Sequence, residues 1–261
     1  MEPRILSLHV HPVKSCRARS PDHVRVGPRG FEGDREFAFC DEVGRVLTQR
    51  QHPRMATVDA HWDGAALTLS CAGHESVTVD GREWCDAPSS ASVHGTSIAA
   101  HEVRDARASR WMTELLSTPA TLVRRAPHAT RASDDGESPT TLADAGPISV
   151  LARASMDALN ARMDDALQID RFRTNVIVDG VDAFFEDSVE AFDVGGCGFR
   201  AMRRIQRCVM VQTDQRTGER GIEPMRTLRE VRSVLGRVFF GRYFVVEHEG
   251  VVRVGDRVLP S

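Results

Sequence analysis

A cysteine at position 208 follows a cluster of arginines, and this combination could do chemistry. The segment reads Arg203-Arg204-Ile205-Gln206-Arg207-Cys208 and leads into an apolar run, which predicts a strand over residues 208–213. Nearby positive charge favours the thiolate form of a cysteine, and a thiolate is both a nucleophile and a soft-metal ligand. A buried cysteine that only fills space in a strand is the alternative, because free cysteine also behaves as a small hydrophobic residue. Both interpretations stay open on the local sequence alone.

Three other segments place basic and hydrogen-bonding side chains beside turn residues. Their candidate residues are Lys14 and Ser15, then Arg35, then Arg173 and Asn175. Lysine, serine, arginine and asparagine together supply the charge-assisted and directional donors that a phosphate group needs. Basic residues at strand ends that are simply solvated are the alternative for each segment taken singly.

Composition limits the class of protein that carries these residues. With 261 residues, of which 41% are hydrophobic, the chain can form one large or two modest domains, and two are favoured. The 34 Lys and Arg against 37 Asp and Glu give a net charge of -3, so no global basic field for nucleic-acid binding is expected. The absence of a long apolar run or a secretory start predicts a cytoplasmic protein without membrane contact. The six dispersed cysteines are predicted to be reduced thiols.

The elements that must position the candidate residues are predicted to be mostly strands. Residues 1–103 alternate short apolar runs with turn signals, which is typical of a barrel or sandwich. A helix capped by Ser109 is predicted over residues 109–116. Residues 126–141 are polar and lack periodicity, so they are interpreted as a linker or long loop at the start of a second domain. The predicted domains are residues 1–125 and 126–261.

In the second half, strands and helices are predicted to alternate before a final hairpin. A strand over residues 148–151 precedes a helix capped by Ser155. Another strand covers residues 175–178, and the clearest helix runs from Pro224 through Leu235 to a stop at Gly236. The predicted hairpin joins residues 242–248 to 251–258.

Taken together, the motifs occur in a recognisable order. The chain resembles the MOSC family, in the two-domain branch with an N-terminal β-barrel domain that includes the mitochondrial amidoxime-reducing component. The resemblance covers nearly the whole chain and implies an α+β, β-rich fold, with a barrel-like N-terminal domain, a MOSC β-barrel domain and a few peripheral helices. It rests on seven ordered blocks, at residues 11–16, 30–35, 41–55, 142–147, 171–175, 185–188 and 207–220.

The resemblance implies a molybdenum cofactor, Mo-molybdopterin, enclosed between the two domains. Cys208 falls on the position of the metal-ligating and catalytic thiolate, a soft donor suited to molybdenum. The residues that fall on positions holding the pterin and its phosphate are Lys14, Ser15, Arg35, Arg173 and Asn175.

Carboxylates near the predicted metal ligand are candidates for proton delivery or for orienting other groups. Asp214, which follows the predicted strand of Cys208, is the second candidate catalytic residue, and Glu186 and Asp187 form an acidic pair. Surface or turn carboxylates are the alternative for all three. Arg153 and Val189 depart from the family pattern, and the departure at Arg153 predicts a cation in the substrate cleft.

The predicted activity is that of a molybdenum-dependent oxidoreductase that reduces a small N-hydroxylated substrate. The cofactor would supply the redox chemistry, and the protein would bind and orient it. A separate electron donor, a flavin reductase or a ferredoxin-type protein, is implied. Two alternatives stay open: a sulfur transferase that carries a persulfide on Cys208, and a non-catalytic cofactor carrier. The sequence does not assign the physiological substrate, the donor or the oligomeric state.

Overall fold

A computed structural model describes residues 2–81, 84–133, 136 and 138–261. The side chain of Cys85 and part of the predicted linker lie outside the described residues. The described helices are α1 (Ala106–Leu116), α2 (Arg153–Asn160), α3 (Phe185–Ser188) and α4 (Met225–Val231), with 3-10 turns at Pro53–Thr57, Ile169–Phe172 and Val209–Gln212.

Strands dominate the described residues, which confirms the predicted α+β, β-rich class. The strands of the first half are β1 (Arg4–Leu8), β2 (His23–Gly27), β3 (Gly30–Phe31), β4 (Phe37–Cys40), β5 (Asp59–Trp62), β6 (Ala66–Cys71), β7 (His74–Asp80), β8 (Trp84–Val93), β9 (Thr96–Val103) and β10 (Thr121–Arg125). Those of the second half are β11 (Arg131–Ala132), β12 (Pro139–Thr140), β13 (Ile148–Ala152), β14 (Val176–Asp179), β15 (Ala191–Val194), β16 (Cys197–Gln206), β17 (Ser233–Val234), β18 (Arg237–His248), β19 (Gly250–Arg253) and β20 (Leu259–Pro260).

The largest sheet combines strands from both ends of the chain. Its order is β1-β14-β13-β18-β16-β15-β20, and β17 pairs with β18 beside this path. The first strand of the chain therefore pairs with β14 of the second half, and β2 likewise pairs with β19. The first half adds the sheets β4-β10-β9-β8 and β5-β6-β7. Within the segment predicted as a linker, β11 pairs with β12, while the division into domains at residue 125 stays a prediction.

Helix α1 covers the first-half sheets with one apolar face. It buries Ala108, Trp111, Met112 and Leu115 against strand residues, as its helical spacing requires. The predicted cap was wrong: the helix begins one turn earlier, where the Asp105 carboxylate accepts a hydrogen bond from the backbone N–H of Arg107. A carboxylate at this position satisfies a free N–H and also interacts favourably with the helix dipole.

Two predictions for the last 40 residues were wrong. Helix α4 ends at Val231, since β17 turns back onto β18 and leaves Leu235 99% exposed at the turn. Strand β18 pairs with β16 along most of its length and with β13 at residues 242–244, and it does not form the predicted hairpin with β19. Strand β19 pairs with β2 instead.

Candidate functional site

A cavity of about 590 Å³ brings the predicted cofactor residues together. Its wall combines turns of the first half with strand ends and turns of the second half. All six of the predicted cofactor and metal residues line it: Lys14, Ser15, Arg35, Arg173, Asn175 and Cys208. Segments far apart in the chain thus form one site.

Cys208 lies at the cavity in the short irregular segment between a strand and a 3-10 turn, and not within a strand. Strand β16 ends at Gln206, and a 3-10 turn begins after Cys208, whose backbone is extended. The predicted strand over residues 208–213 was therefore wrong. The thiol is free and partly buried, as suits a ligand or nucleophile that must meet a bound group.

Arg207 is held rigidly beside that thiol. Its Nε donates to the carbonyl of Phe240 at 2.6 Å and its Nη1 to the carbonyl of Phe172 at 2.9 Å. The guanidinium carbon also lies 5.1 Å from the centre of the Phe172 ring. The remaining nitrogen, Nη2, is buried and has no hydrogen-bond partner among the described residues. A buried donor without a partner is costly, and here it belongs to a residue that lines the cavity.

Three of the predicted cofactor residues adopt left-handed backbone conformations. The φ angles are 68° at Ser15, 50° at Arg35 and 53° at Arg173. Such angles are uncommon for residues other than glycine and tend to occur at functional sites. The buried hydroxyl of Ser15 has no hydrogen-bond partner among the described residues. The tight turns therefore place these three side chains at one cavity.

Asn175 and Asp34 connect the loops of the two halves. The side-chain Oδ1 of Asn175 accepts from the Ser149 hydroxyl at 2.8 Å. Its Nδ2 donates to the backbone carbonyl of His9 at 3.1 Å and to Asp34 at 3.2 Å. Asp34 also pairs with Arg35. Burial alone would raise the pKa of Asp34, but Arg35 and His11 lower it to about 2. Asp34 is thus a carboxylate at neutral pH, and this network fixes the direction of Arg35.

The cavity is strongly cationic. Eight basic side chains line it, namely Lys14, Arg35, Arg50, Arg131, Arg171, Arg173, Arg203 and Arg207, against a single carboxylate, Asp144, among the described lining residues. Burial and the neighbouring Arg35 lower the pKa of Arg173 to about 10. A lowered arginine pKa indicates positive charge that is desolvated and incompletely neutralised. The site is therefore suited to a polyanion.

Asp144 and His94 are site residues that sequence reasoning missed. Asp144 lies 2.5 Å from the Lys14 ammonium and 3.3 Å from the Nε2 of His94, which stands at the tip of the β8–β9 hairpin. Asp144 falls within the block at residues 142–147, so that block could have marked it. No local pattern distinguishes His94, because its place at the cavity depends on long-range packing.

Asp214 does not line the cavity. Its Oδ2 accepts from the Nη2 of Arg171 at 2.6 Å, and its Oδ1 accepts from the backbone N–H groups of Arg216 and Thr217. It therefore orients Arg171, which is a lining residue.

The prediction that the segments around Arg153 and Glu186 line the cleft was wrong. Arg153 is exposed and faces Asp157 at 3.5 Å on helix α2. Glu186 is fully buried, and Asp187 pairs with Arg232. Ser155 was also misinterpreted as a helix cap: its hydroxyl is buried and donates to Glu186 at 2.9 Å. Helices α2 and α3, which contain these residues, pack against strand β13.

The family follows from matches over both halves of the chain. Residues 2–119 match the MOSC N-terminal beta barrel domain, and residues 137–259 match the MOSC domain. The chain belongs to the MOSC family. Both predicted parts of the fold, the N-terminal barrel domain and the MOSC domain, are thereby confirmed.

Similar proteins include two that carry functional names. This MOSC protein is 28% identical to mitochondrial amidoxime-reducing component 1 of Homo sapiens, over 97% of the chain and 82% of that relative. It is also 28% identical to a molybdenum cofactor sulfurase of Danio rerio, over 98% of the chain but only 34% of that relative. The crystal structure of the YUAD protein from Bacillus subtilis aligns over 99% of this chain and 94% of that one, with 10% identity and a TM-score of 0.45.

Two further features concern the described residues of this MOSC protein. No helix among them has the length and apolar character to cross a membrane. No three His, Cys, Asp or Glu side chains among them are grouped as in a metal centre built from protein ligands alone.

Proposed function

We propose that this protein is an oxidoreductase that binds Mo-molybdopterin in the cavity and reduces small N-hydroxylated compounds with it. One observation carries the proposal: a partly buried thiol, Cys208, opens into the same cavity as eight basic side chains. A soft thiolate suits molybdenum, and the basic side chains suit a phosphorylated pterin. The relatives named for amidoxime reduction favour this substrate class.

The described residues fit such a cofactor. The Ser15 hydroxyl and the Nη2 of Arg207 are buried donors with no acceptor among the described residues. Arg35 and Arg173 add positive charge to the cavity wall. Lys14, which pairs with Asp144, would help to hold the pterin and its phosphate, and Asn175 would fix the loops around the cofactor. Cys208 would be the protein ligand of the metal. When bound, the cofactor would supply the two-electron reduction of an N–O bond.

The remaining sequence predictions take more limited roles. Asp214 would position Arg171 and would not touch the substrate, because it pairs with Arg171 and does not line the cavity. Electrons would come from a separate flavin reductase or ferredoxin-type protein. The cytoplasmic location stays a prediction.

Sulfur transfer is the second candidate, because one relative is named a molybdenum cofactor sulfurase. Cys208 would then carry a persulfide and no metal. A non-catalytic cofactor carrier would hold molybdenum without turnover. Elemental analysis of the purified protein, followed by assay of benzamidoxime with a strong artificial reductant, separates the three. We expect molybdenum in near-equal amount to protein and conversion of benzamidoxime to benzamidine. Molybdenum-free protein with a persulfide on Cys208 would contradict the proposal.

Arg173→Met is expected to weaken cofactor binding without weakening the fold. The described hydrogen bond of this guanidinium is to the neutral Gln215, so the substitution removes a desolvated charge that the protein does not neutralise. Each charge-assisted bond to the cofactor is worth roughly 1.5–3 kcal/mol, so molybdenum affinity should fall about 10- to 100-fold. Molybdenum content and the urea unfolding curve are measured together.

The matched control is Arg200→Met, at an exposed arginine on β16 that faces Glu247. It should leave molybdenum content unchanged. Full molybdenum content in Arg173→Met, together with a clear loss of unfolding free energy, would show that Arg173 is structural.

A further inference from the structure

The tip of the β8–β9 hairpin carries a histidine in a two-residue turn. Val93 pairs with Thr96, which leaves His94 and Gly95 as a two-residue turn, with φ angles of 50° and 81°. Two positive φ angles are typical of a type I′ turn, in which Asn or Asp is strongly preferred at the first position and Gly at the second. Histidine is, with Asn and Asp, among the non-glycine residues enriched at positive φ, so the turn accepts it and presents the imidazole at its tip.

The imidazole reaches both the cavity and the solvent. His94 and its neighbour Thr96 line the cavity, and the His94 side chain is 48% exposed. Its Nε2 lies 3.3 Å from Oδ1 of Asp144, the single carboxylate among the described lining residues. With Nε2 directed at the carboxylate, Nδ1 is left to exchange protons. The His94 side chain therefore contacts both bulk water and the cavity.

Asp144 is suited to orient His94 and unsuited to give up a proton itself. Partial burial would raise the pKa of Asp144, but Lys14 at 2.5 Å, the bond from His94 and Arg50 at 3.7 Å together hold it well below its ordinary value. Asp144 therefore stays a carboxylate at neutral pH. A fixed carboxylate that accepts from one imidazole nitrogen determines the orientation of the ring.

We propose that His94 is a catalytic proton donor for N–O bond reduction, with Asp144 as its positioning residue; this inference rests on the proposed reductase function. Reduction of an amidoxime breaks the N–O bond and consumes two electrons and two protons, which leaves an amidine and one water. A separate protein donor and the bound cofactor would supply the two electrons. One proton goes to the nitrogen and one to the departing oxygen. His94 delivers the proton to the oxygen and is reprotonated from solvent through its exposed edge.

The test uses two substitutions that the turn accepts. Asparagine and glycine both favour positive φ, so His94→Asn and His94→Gly should keep the turn and the fold. Holoenzyme variants are assayed with benzamidoxime, and turnover is expressed per bound molybdenum. Loss of a general acid typically costs 10²- to 10⁴-fold, so we expect kcat of His94→Asn to fall about 100-fold. KM and molybdenum content should change less than about threefold, a difference of under 1 kcal/mol.

Two further measurements separate catalysis from structure. Added imidazole should restore part of the turnover of His94→Gly, because the vacant side-chain position is open to solvent. Asp144→Asn should lower kcat in the wild-type background but add little to His94→Asn, as expected for residues that act as a unit. His128→Asn, at an exposed loop histidine, is the control and should match the wild type.

Wild-type kcat in His94→Asn would overturn the role of His94 while leaving the proposed function in place. A loss of turnover that merely parallels a loss of molybdenum would also overturn it, since His94 would then serve cofactor retention. Absence of amidoxime reduction by the molybdenum-loaded wild type would instead contradict the proposed function, and this inference would fall with it.

Discussion

Cys208→Ala is expected to lose both molybdenum and benzamidoxime reduction. Cys208 is the protein thiol that lines the cavity among the described residues, and a methyl group cannot replace a thiolate ligand. Substitution of residues that merely support a metal ligand typically costs roughly 10- to 100-fold in affinity or activity. Removal of the ligand itself should therefore cost at least about 100-fold in turnover. Molybdenum per protein and kcat with an artificial reductant are the measurements.

Cys71→Ala is the matched control for this substitution. Both thiols are free and partly buried, but the Cys71 sulfur lies 3.2 Å from the Thr57 hydroxyl and does not line the cavity. The Cys71 variant should keep its molybdenum and its activity. Wild-type activity in Cys208→Ala would exclude Cys208 as the ligand. Loss of activity with full molybdenum content would instead favour a role for the sulfur as nucleophile or persulfide carrier.

Predictions from sequence were accurate where local chemistry determines the structure. Turn residues and short apolar runs marked most first-half strands, and the turns that carry Ser15 and Arg35 place both residues at the cavity. A tight turn is encoded by a few adjacent residues, so its position can be predicted without knowledge of the rest of the fold. That these turns meet at one site was implied only by the resemblance of the ordered blocks.

Predictions failed where distant segments compete for the same edge or space. Strand β19 has an apolar pattern that fits several partners, and its pairing with β2 buries Val252 in one cluster with Val24 and Val26 from the other end of the chain. Cys208 begins an apolar run that resembles a strand. The residues after it form a 3-10 turn instead, and its thiol lies at the cavity. His94 and Asp144 are 50 residues apart, and nothing in either neighbourhood predicts their contact.

Glu186 does not line the cavity, but its burial makes the stability of the protein depend on pH. Its side chain is fully buried, with one oxygen accepting from Ser155 at 2.9 Å and from the backbone N–H of Ala152 at 3.2 Å. The other oxygen is buried and has no partner among the described residues. Burial raises the pKa of Glu186 to about 7, because desolvation of the carboxylate outweighs the bonds it accepts. The folded protein therefore holds a proton on this group that the unfolded chain releases at lower pH.

Glu186→Gln is expected to remove a pH-dependent loss of stability. The stabilising contribution of the protonated acid is fully present below about pH 4.5 and is lost as the pH rises to about 7. A difference of about 2.5 units at 1.36 kcal/mol per unit corresponds to roughly 3 kcal/mol. Glutamine can accept the same two bonds and cannot ionise. The free energy of unfolding of the variant should therefore rise by about 3 kcal/mol relative to the wild type between pH 4.5 and 8.

The difference between the two proteins isolates this single group. Burial also lowers the pKa values of His9 and His11, but both histidines are present in each protein, so their contributions cancel in the difference. Urea unfolding at several pH values from 4.5 to 8 measures it, and Glu230→Gln, at an exposed position on α4, serves as the control. A constant difference between Glu186→Gln and wild type over this range would mean that Glu186 is ionised in the folded protein, with its second oxygen satisfied by water.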